Sequence, residues 1–164
     1  MDPVTQEVVI ARPRREVFEY LADIANHAEF TDHYLVDWHL TRIDSVGVGA
    51  GARFRIKAPG NRYSWADATV VEAERPHRIV ERGRTGKDNR VRTLGIYELE
   101  PVAGPATRVT FTLQTLPATL ADRIVESFGA RSFMRRKGMR ALRRLRAILE
   151  EGAERGQRVT VAAG

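Results

Sequence analysis

Residues 7–30 read EVVIARPRREVFEYLADIANHAEF, and this stretch decides the fold of the chain. A short apolar run at its start is interrupted by a polar segment around Pro13. In the segment that follows, Val17, Phe18 and Leu21 fall at positions i, i+1 and i+4, which places them on one face of a helix. A second short amphipathic segment closes the stretch. The pattern therefore predicts one strand followed by two short helices.

Length and composition restrict the number of domains and the class of protein. The chain has 164 residues, which favours a single domain, 1–164, with a core over about 5–151 and a frayed tail at 155–164. The hydrophobic fraction, 43%, is ordinary for a globular protein. No long apolar run predicts a transmembrane helix, and no basic segment followed by an apolar one predicts a secretory signal. The absence of cysteine excludes disulfides and thiolate metal sites, and it fits a cytoplasmic protein.

The middle of the chain has the alternating pattern of antiparallel strands separated by Gly/Pro turns. About six strands are expected between residue 36 and residue 116, with one buried and one wet face. At Pro117 the period changes to that of a helix, which we expect to continue to near Gly152. The apolar side chains of this helix fall near one face, and they are Leu120, Ile124, Phe128, Gly138, Leu142, Leu145 and Leu149.

This order of elements resembles the SRPBCC superfamily, whose members include START-like and birch-pollen-allergen-like proteins. The motifs that carry the resemblance are Ile10-Ala11-x-Pro13-x-x-x-Val17-Phe18-x-Tyr20-Leu21-x-Asp23, then Gly47-x-Gly49, then Tyr97-x-Leu99-x-Pro101 followed by Thr107-Arg108-Val109. The resemblance implies an α+β helix-grip fold, in which a curved antiparallel sheet of about seven strands wraps around a long C-terminal helix. It also implies an apolar cavity between the sheet and that helix.

The inward faces of the predicted strands and helix supply the candidate ligand-binding residues. They are Phe54, Ile56, Tyr63, Trp65, Tyr97, Val109, Phe111 and Leu113 on the sheet, with Ile124 and Phe128 on the helix. Pattern alone favours a plain hydrophobic core, and the resemblance favours a cavity wall instead. A bulge anywhere within 62–74 would reverse the inward set there.

Three charged residues fall on potentially inward positions. Asp67 shares the alternation of Trp65, and Arg131 lies near the inner face of the helix, so the two could form an ion pair or orient a polar head group. Glu81 lies on the strand face of Ile79 and Gly83. The alternative is that these long side chains lie at the rim of the sheet in water.

No motif predicts a metal site, a bound cofactor or a catalytic nucleophile. His27, His33 and His39 are spaced by six, which is not a zinc spacing, and we expect surface histidines. The alternative is that His33 or His39 acts as an acid/base group at the cavity mouth. The glycine-rich segment 47–51 precedes a strand, whereas a dinucleotide motif precedes a helix.

A run of eight basic residues without an acid lies between 131 and 146, in a chain of net charge +6. Arg136, Arg140, Arg143 and Arg144 form a stripe on the side away from Leu142. The run fits a solvated face or an anionic membrane surface. A nucleic-acid partner is not expected, because a single aromatic residue interrupts the run.

Three functional hypotheses follow. The leading one is a carrier or sensor that binds a small hydrophobic molecule, such as a lipid, an isoprenoid or a polyketide-like compound, without covalent chemistry. The second is an enzyme, because some members of the family are polyketide aromatase/cyclases; Asp67, Tyr63, Tyr97 and Arg131 would be its catalytic candidates. The third is an interaction protein that uses the arginine stripe on an acidic surface. The sequence is compatible with a monomer or a homodimer.

Overall fold

The computed structural model describes residues 2–58, 60, 64–120, 123–124, 129–156 and 159–161. Its elements in chain order are β1 (Val4–Ile10), α1 (Arg14–Ala22), α2 (His27–Thr31), β2 (Leu35–Leu40), β3 (Gly51–Ile56), β4 (Trp65–Glu74), β5 (Arg78–Thr85), β6 (Val91–Val102), β7 (Ala106–Leu116), α3 (Ala130–Glu151) and β8 (Thr160–Val161). Short 3-10 turns at Ile24–Asn26 and Lys87–Asn89 precede α2 and β6. The predicted helix-grip fold is confirmed.

The strands form one curled sheet in the order β1-β7-β6-β5-β4-β3-β2-β8. All neighbours from β1 to β2 are antiparallel, and β8 pairs in parallel with β2. Register across β5, β6 and β7 places Glu81 opposite Gly95, and Gly95 opposite Leu113. Residues in directly opposed positions share one face of a sheet. These three strands therefore present a continuous inner face to the helices.

The opening stretch folds as its sequence predicts. β1 buries alternate residues, and α1 buries Val17, Phe18 and Leu21 on one face. Pro13 directly precedes α1, where its missing N–H costs no helical hydrogen bond. The Asp23 side chain accepts a hydrogen bond from the Ala25 N–H and caps the following 3-10 turn. Together these features hold α1 and α2 at one end of the sheet.

The long helix α3 begins at Ala130, so the prediction that it begins near Pro117 is wrong. Gly129 directly precedes it in the left-handed conformation, with φ of 83°. This conformation interrupts helical geometry, so the described residues before it, up to Ile124, do not continue the inner face of α3. Among them, Leu120 is 75% exposed and Ile124 is 58% exposed.

α3 packs on β1 and α2 through its small and aliphatic face. Its buried residues are Gly138, Ala141, Leu142, Leu145 and Ile148. Gly138 allows the buried Gln6 side chain of β1 to reach the helix backbone, where its amide donates to the Arg135 carbonyl. None of the described helices combines the length and the apolar character that a membrane span needs.

The tail, for which the sequence predicts fraying, is held in its described part. The Gly156 N–H donates to the Glu29 carbonyl at 3.0 Å, and the Arg155 guanidinium lies 3.7 Å from the Glu29 carboxylate. Val159 is buried, and β8 adds a parallel edge to β2. The chain after α3 thus covers α2 and one edge of the sheet.

Candidate ligand cavity

A cavity of about 150 Å³ lies between the inner face of the sheet and helices α2 and α3. Its lining is largely apolar and includes Phe30, Tyr34, Leu35, Trp38, Phe54, Ile56, Ala66, Ala68, Tyr97, Phe111, Leu113, Met134, Ala141 and Leu142. Polar lining residues include His27, Thr31, Glu81, Thr85, Thr93 and Thr115. Asp67 and Arg82 also border the cavity, but strand alternation turns their side chains to the outer face of the sheet. An apolar chamber with a few convergent polar groups is the usual form of a small-molecule site.

Small residues on neighbouring strands create this space. Ala66 and Ala68 lie on β4, Gly83 on β5 and Gly95 on β6, and all four line the cavity. A Cβ atom built on Gly95 would meet Phe111 at 3.4 Å and Glu81 at 3.5 Å, which are ordinary contact distances, so this position has room for a methyl group. Sequence reasoning did not single out these residues. The available signal was glycine inside a strand, which often marks close backbone approach or a ligand.

Five of the predicted wall residues line the cavity, and their contact with a ligand stays a prediction. They are Phe54, Ile56, Tyr97, Phe111 and Leu113. The aromatic members pack against other rings. The ring centroids of Tyr97 and Phe111 are 4.5 Å apart, and those of Phe54 and the further lining residue Trp38 are 4.4 Å apart. Val109 is fully buried in the core and is not among the lining residues.

The predicted face of β4 is wrong by one residue. Ala66 is paired with Phe54 on the inner face, so Trp65 points outward and is 37% exposed. There the Trp65 ring lies under the guanidinium groups of Arg53 and Arg55, at 4.9 and 5.9 Å. A bulge between Val70 and Glu72 changes the alternation further along β4. Period-two patterns do not identify which phase is buried when a strand contains such a bulge.

The predicted Asp67–Arg131 pair does not form. Asp67 shares the outward phase of Trp65, and its carboxylate accepts the Arg84 backbone N–H at 2.9 Å. Arg131 is 61% exposed, and its guanidinium lies 3.7 Å from the Asp2 carboxylate.

Three further predicted wall residues do not appear in the described lining. Ile124 is exposed and does not close the cavity, because the helical phase is broken at Gly129. Tyr63 and Phe128 lie outside the described residues.

A buried acid–histidine pair forms the polar end of the cavity. Glu81 is on the predicted inward face of β5, and its side chain is only 12% exposed. Its Oε1 lies 3.3 Å from Nδ1 of His27, whose Nε2 is 2.7 Å from the Leu21 carbonyl and donates to it. The Glu81–His27 contact lacks the geometry of a hydrogen bond. Oε1 therefore has no hydrogen-bond partner among the described residues.

Burial controls the ionisation of this end of the cavity. It raises the pKa of the Glu81 carboxyl, and the opposing effect of His27 is smaller. It also raises the pKa of the Tyr34 and Tyr97 hydroxyls, to which the nearby Glu81 adds. The tyrosines are therefore neutral donors at physiological pH. His27 was expected at the surface, and its burial follows from its place at the start of α2 against the Tyr97 ring.

Replacing Glu81 by glutamine should change how stability depends on pH. Because the pKa of Glu81 is raised in the folded state, ionisation costs stability as pH rises above the ordinary carboxyl value of 4.5. We expect Glu81→Gln to be more stable than wild type at pH 7 and no more stable near pH 4. Urea unfolding across this range measures the difference, with the exposed Glu100→Gln as a control. A constant difference between wild type and Glu81→Gln at all pH values would contradict the assignment.

The other histidines do not form a site with His27. The half-buried His33 ring lies 3.2 Å from the Lys137 carbonyl, and burial lowers the pKa of this histidine. His39 stacks on Trp65 at the outer face of the sheet. In the described part of the chain, no cluster of histidine, aspartate and glutamate has the form of a metal site.

The arginine stripe divides into two parts. Arg136, Arg140 and Arg143 are exposed, and none has an ion-pair partner among the described residues. Arg144 is half-buried and ion-paired with Asp32, so it ties α3 to the end of α2. The predicted surface stripe is therefore corrected to three arginines.

Solved structures share this fold at low sequence identity. TTHA0849 from Thermus thermophilus superposes with a TM-score of 0.68 at 16% identity, covering 93% of this chain and 99% of that chain. The protein jhp0584 from Helicobacter pylori superposes with a TM-score of 0.70 at 14% identity, covering 91% of this chain and 88% of that chain. DynU16, a protein from the dynemicin biosynthetic locus, superposes with a TM-score of 0.62 at 20% identity, covering 94% of this chain and 49% of that chain. These similarities establish the architecture alone.

The sequence comparison is more specific. No curated protein matches the chain. A family model described as polyketide cyclase / dehydrase and lipid transport matches residues 1–150, which include the whole sheet up to β7 and nearly all of α3. With this match over most of its length, the chain belongs to the polyketide cyclase/dehydrase and lipid transport family.

Proposed function

We propose that this protein binds a small hydrophobic molecule in the cavity between sheet and α3, as a carrier or a sensor. The observation that carries the proposal is the chamber of about 150 Å³, which apolar side chains line almost throughout. Protein interiors are normally close-packed, with few voids larger than a water molecule, so an apolar chamber of this size departs from an ordinary core. The membership of a family associated with lipid transport and polyketides supports the same interpretation. The chain has no cysteine, which fits function in the cytoplasm.

The cyclase-type alternative has less support in the geometry. Its predicted residues are not brought together, since Asp67 faces outward and Arg131 pairs with Asp2 at the surface. Tyr97 alone of the described candidates presents its ring to the cavity. Binding without covalent chemistry is therefore the function that the site supports best.

Compounds of the size of one substituted ring should raise the melting temperature. A ligand that binds only the native state stabilises it by about 2.7 kcal/mol when its concentration is about a hundred times the dissociation constant. Thermal unfolding with a panel of ring-sized and short-chain apolar compounds tests this. Burial of apolar surface also predicts a negative heat-capacity change of binding in calorimetry. If no compound of the panel shifts the melting temperature, the proposed function is refuted.

A variant that fills the cavity provides the control for location. Ala68 is a half-buried lining residue of β4, and a leucine there would occupy the open space. We expect Ala68→Leu to abolish the ligand-induced shift. Val71→Leu, at an exposed position of the same strand, should leave the shift intact. A ligand that stabilises Ala68→Leu as strongly as wild type would be bound elsewhere.

An anionic membrane surface is the second candidate partner, and the exposed side of α3 favours it. Arg136, Arg140 and Arg143 lie at i, i+4 and i+7, exposed and without acidic partners in the described part of the chain. Each basic group close to an anionic bilayer contributes about 1 kcal/mol to binding. Three such groups on one helical face would place α3, which forms one wall of the cavity, against the source of an apolar ligand.

Reversal of these three charges should weaken vesicle binding by at least about a hundredfold. The measurement is co-sedimentation with phosphatidylcholine vesicles that contain about 30% phosphatidylserine as the anionic lipid. The variant carries Arg136→Glu, Arg140→Glu and Arg143→Glu. A control with Arg82→Glu, Arg84→Glu and Arg92→Glu has the same net charge but alters the outer face of the sheet. Equal binding by the two variants would contradict a role for α3.

A further inference from the structure

We infer that Glu81 makes the cavity selective for a compact, uncharged molecule of about one ring that carries a hydroxyl group, and that it excludes carboxylates such as fatty acids. This inference rests on the proposed function, and it names the ligand class. It assigns the buried acid of β5 to recognition of the ligand's polar group. The apolar remainder of the chamber would hold the ring.

The carboxyl of Glu81 is buried at the wall of the cavity, and one of its oxygens has no hydrogen-bond partner among the described residues. Buried polar atoms in proteins nearly always have a hydrogen-bond partner, and one without a partner requires an explanation. Oε1 has none among the described residues, and it is closed off against Nδ1 of His27, so a ligand in the cavity would meet this carboxyl at Oε2. Oε2 lies 3.5 Å from the point where a Cβ atom of Gly95 would be, so the missing side chain of Gly95 leaves this oxygen uncovered on that side. A polar atom of a ligand on that side would satisfy the carboxyl.

The protonation state of Glu81 decides which polar group of a ligand can pair with it. A carboxyl donates when it is protonated and only accepts when it is ionised. A hydroxyl both donates and accepts, so it can pair with Glu81 in either state. A carbonyl could pair with the protonated form alone. The hydroxyl is therefore the group that fits this site across the physiological pH range.

The described lining of the cavity offers a negatively charged ligand no lysine or arginine side chain. Among the described lining residues, strand alternation turns the Arg82 side chain to the outer face, and no other lysine or arginine lines the cavity. His27 is the nearest basic group, and it already faces Glu81. A ligand carboxylate would be desolvated beside a second carboxyl with no further cation to offset it, and such a pair repels strongly at low dielectric.

The volume of the cavity limits the size of the ligand. A dry cavity of roughly 150 Å³ holds benzene in other proteins, whereas drug-sized ligands occupy about 300–1,000 Å³. The chamber between sheet and α3 is of the smaller kind. One ring with one short substituent fills this space, and most of a long acyl chain would lie outside it.

The test compares three probes of nearly equal shape, namely toluene, phenol and benzoate. Trp38 lines the cavity, so its fluorescence in a Trp65→Phe background reports binding at pH 7. In the wild-type cavity we expect phenol to bind about tenfold more tightly than toluene, as one added hydrogen bond implies, and benzoate not to bind. Glu81→Leu should lose the preference for phenol. Glu81→Gln should keep it and should bind benzoate more weakly than phenol, because the repulsion is removed while the cost of desolvating the carboxylate remains.

The outcomes separate the inference from the proposed function. Equal affinity for phenol and toluene in wild type, or a phenol preference that persists in Glu81→Leu, would overturn the role of Glu81 while ligand binding stands. If none of the three probes binds, the proposed function fails as well. Circular dichroism checks that each variant folds. Should Glu81→Leu not fold, the near-isosteric Glu81→Gln still decides, because continued exclusion of benzoate would overturn the inference.

Discussion

Gly83→Ala should lower the free energy of unfolding by about 3 kcal/mol, the upper end of the range for overpacked sites. Gly83 lies in the middle of β5, opposite Ala68 of β4 and Thr93 of β6. A Cβ atom at this position would lie 1.9 Å from the backbone oxygen of Asp67. The clash involves backbone, so no side-chain rotation can relieve it, and β4 must move away from β5.

Gly95→Ala is the matched control for this prediction. Gly95 lies on the adjacent strand and also lines the cavity, but an added Cβ would meet its nearest neighbours, Phe111 and Glu81, at 3.4 and 3.5 Å. These are ordinary contacts, so the substitution should be neutral or stabilise by a few tenths of a kcal/mol through the unfolded chain. Urea unfolding of both variants measures the difference. Equal stabilities would mean that β4 and β5 are not as close at Gly83 as the structure shows.

Leu145→Ala should lower the free energy of unfolding by about 2–5 kcal/mol. Leu145 is fully buried on the inner face of α3. The loss combines the transfer of apolar surface to water with the cavity that remains. It should appear as a shift of the denaturation midpoint without a change in the slope of the urea transition.

Leu120→Ala tests the same amino acid change outside the core. The sequence places Leu120 on one helical face with Leu145, yet the structure leaves Leu120 largely exposed. We expect a change within about 0.5 kcal/mol, as at other surface positions. A loss comparable to that of Leu145→Ala would show that the helix is continuous from Pro117, as the sequence pattern alone predicts.

The sheet face of β6 and β7 could be predicted from sequence because these strands alternate without a bulge. Tyr97, Phe111 and Leu113 keep strict period two over long strands, and all three line the cavity. On β4 the same alternation was predicted to place Trp65 on the inner face. The structure reverses this choice, since Trp65 is accommodated between arginine side chains on the outer face.

The polar end of the cavity was only half accessible to sequence reasoning. Glu81 was on the correct strand face, but nothing in the positions of His27 and Glu81, which are far apart in the chain, indicated their contact. The small residues that open the chamber also lacked a hydrophobic signal. Periodicity reports which side chains can share a face, and it carries no information on the space that missing side chains leave.

The sequence by itself determined the order of elements, the helix-grip architecture and the inner faces of the regular strands. The order and the faces follow from local periodicity and from Pro and Gly positions, which act through the backbone of a few neighbouring residues, whereas the helix-grip architecture is what the resemblance to a known superfamily implies. Only the tertiary structure decided which phase of β4 is buried, where α3 begins, and that Arg144 pairs with Asp32. It also decided that Glu81 meets His27 at the end of an apolar chamber. Contacts of this kind join residues far apart in the chain, and their energies depend on burial, which no local pattern specifies.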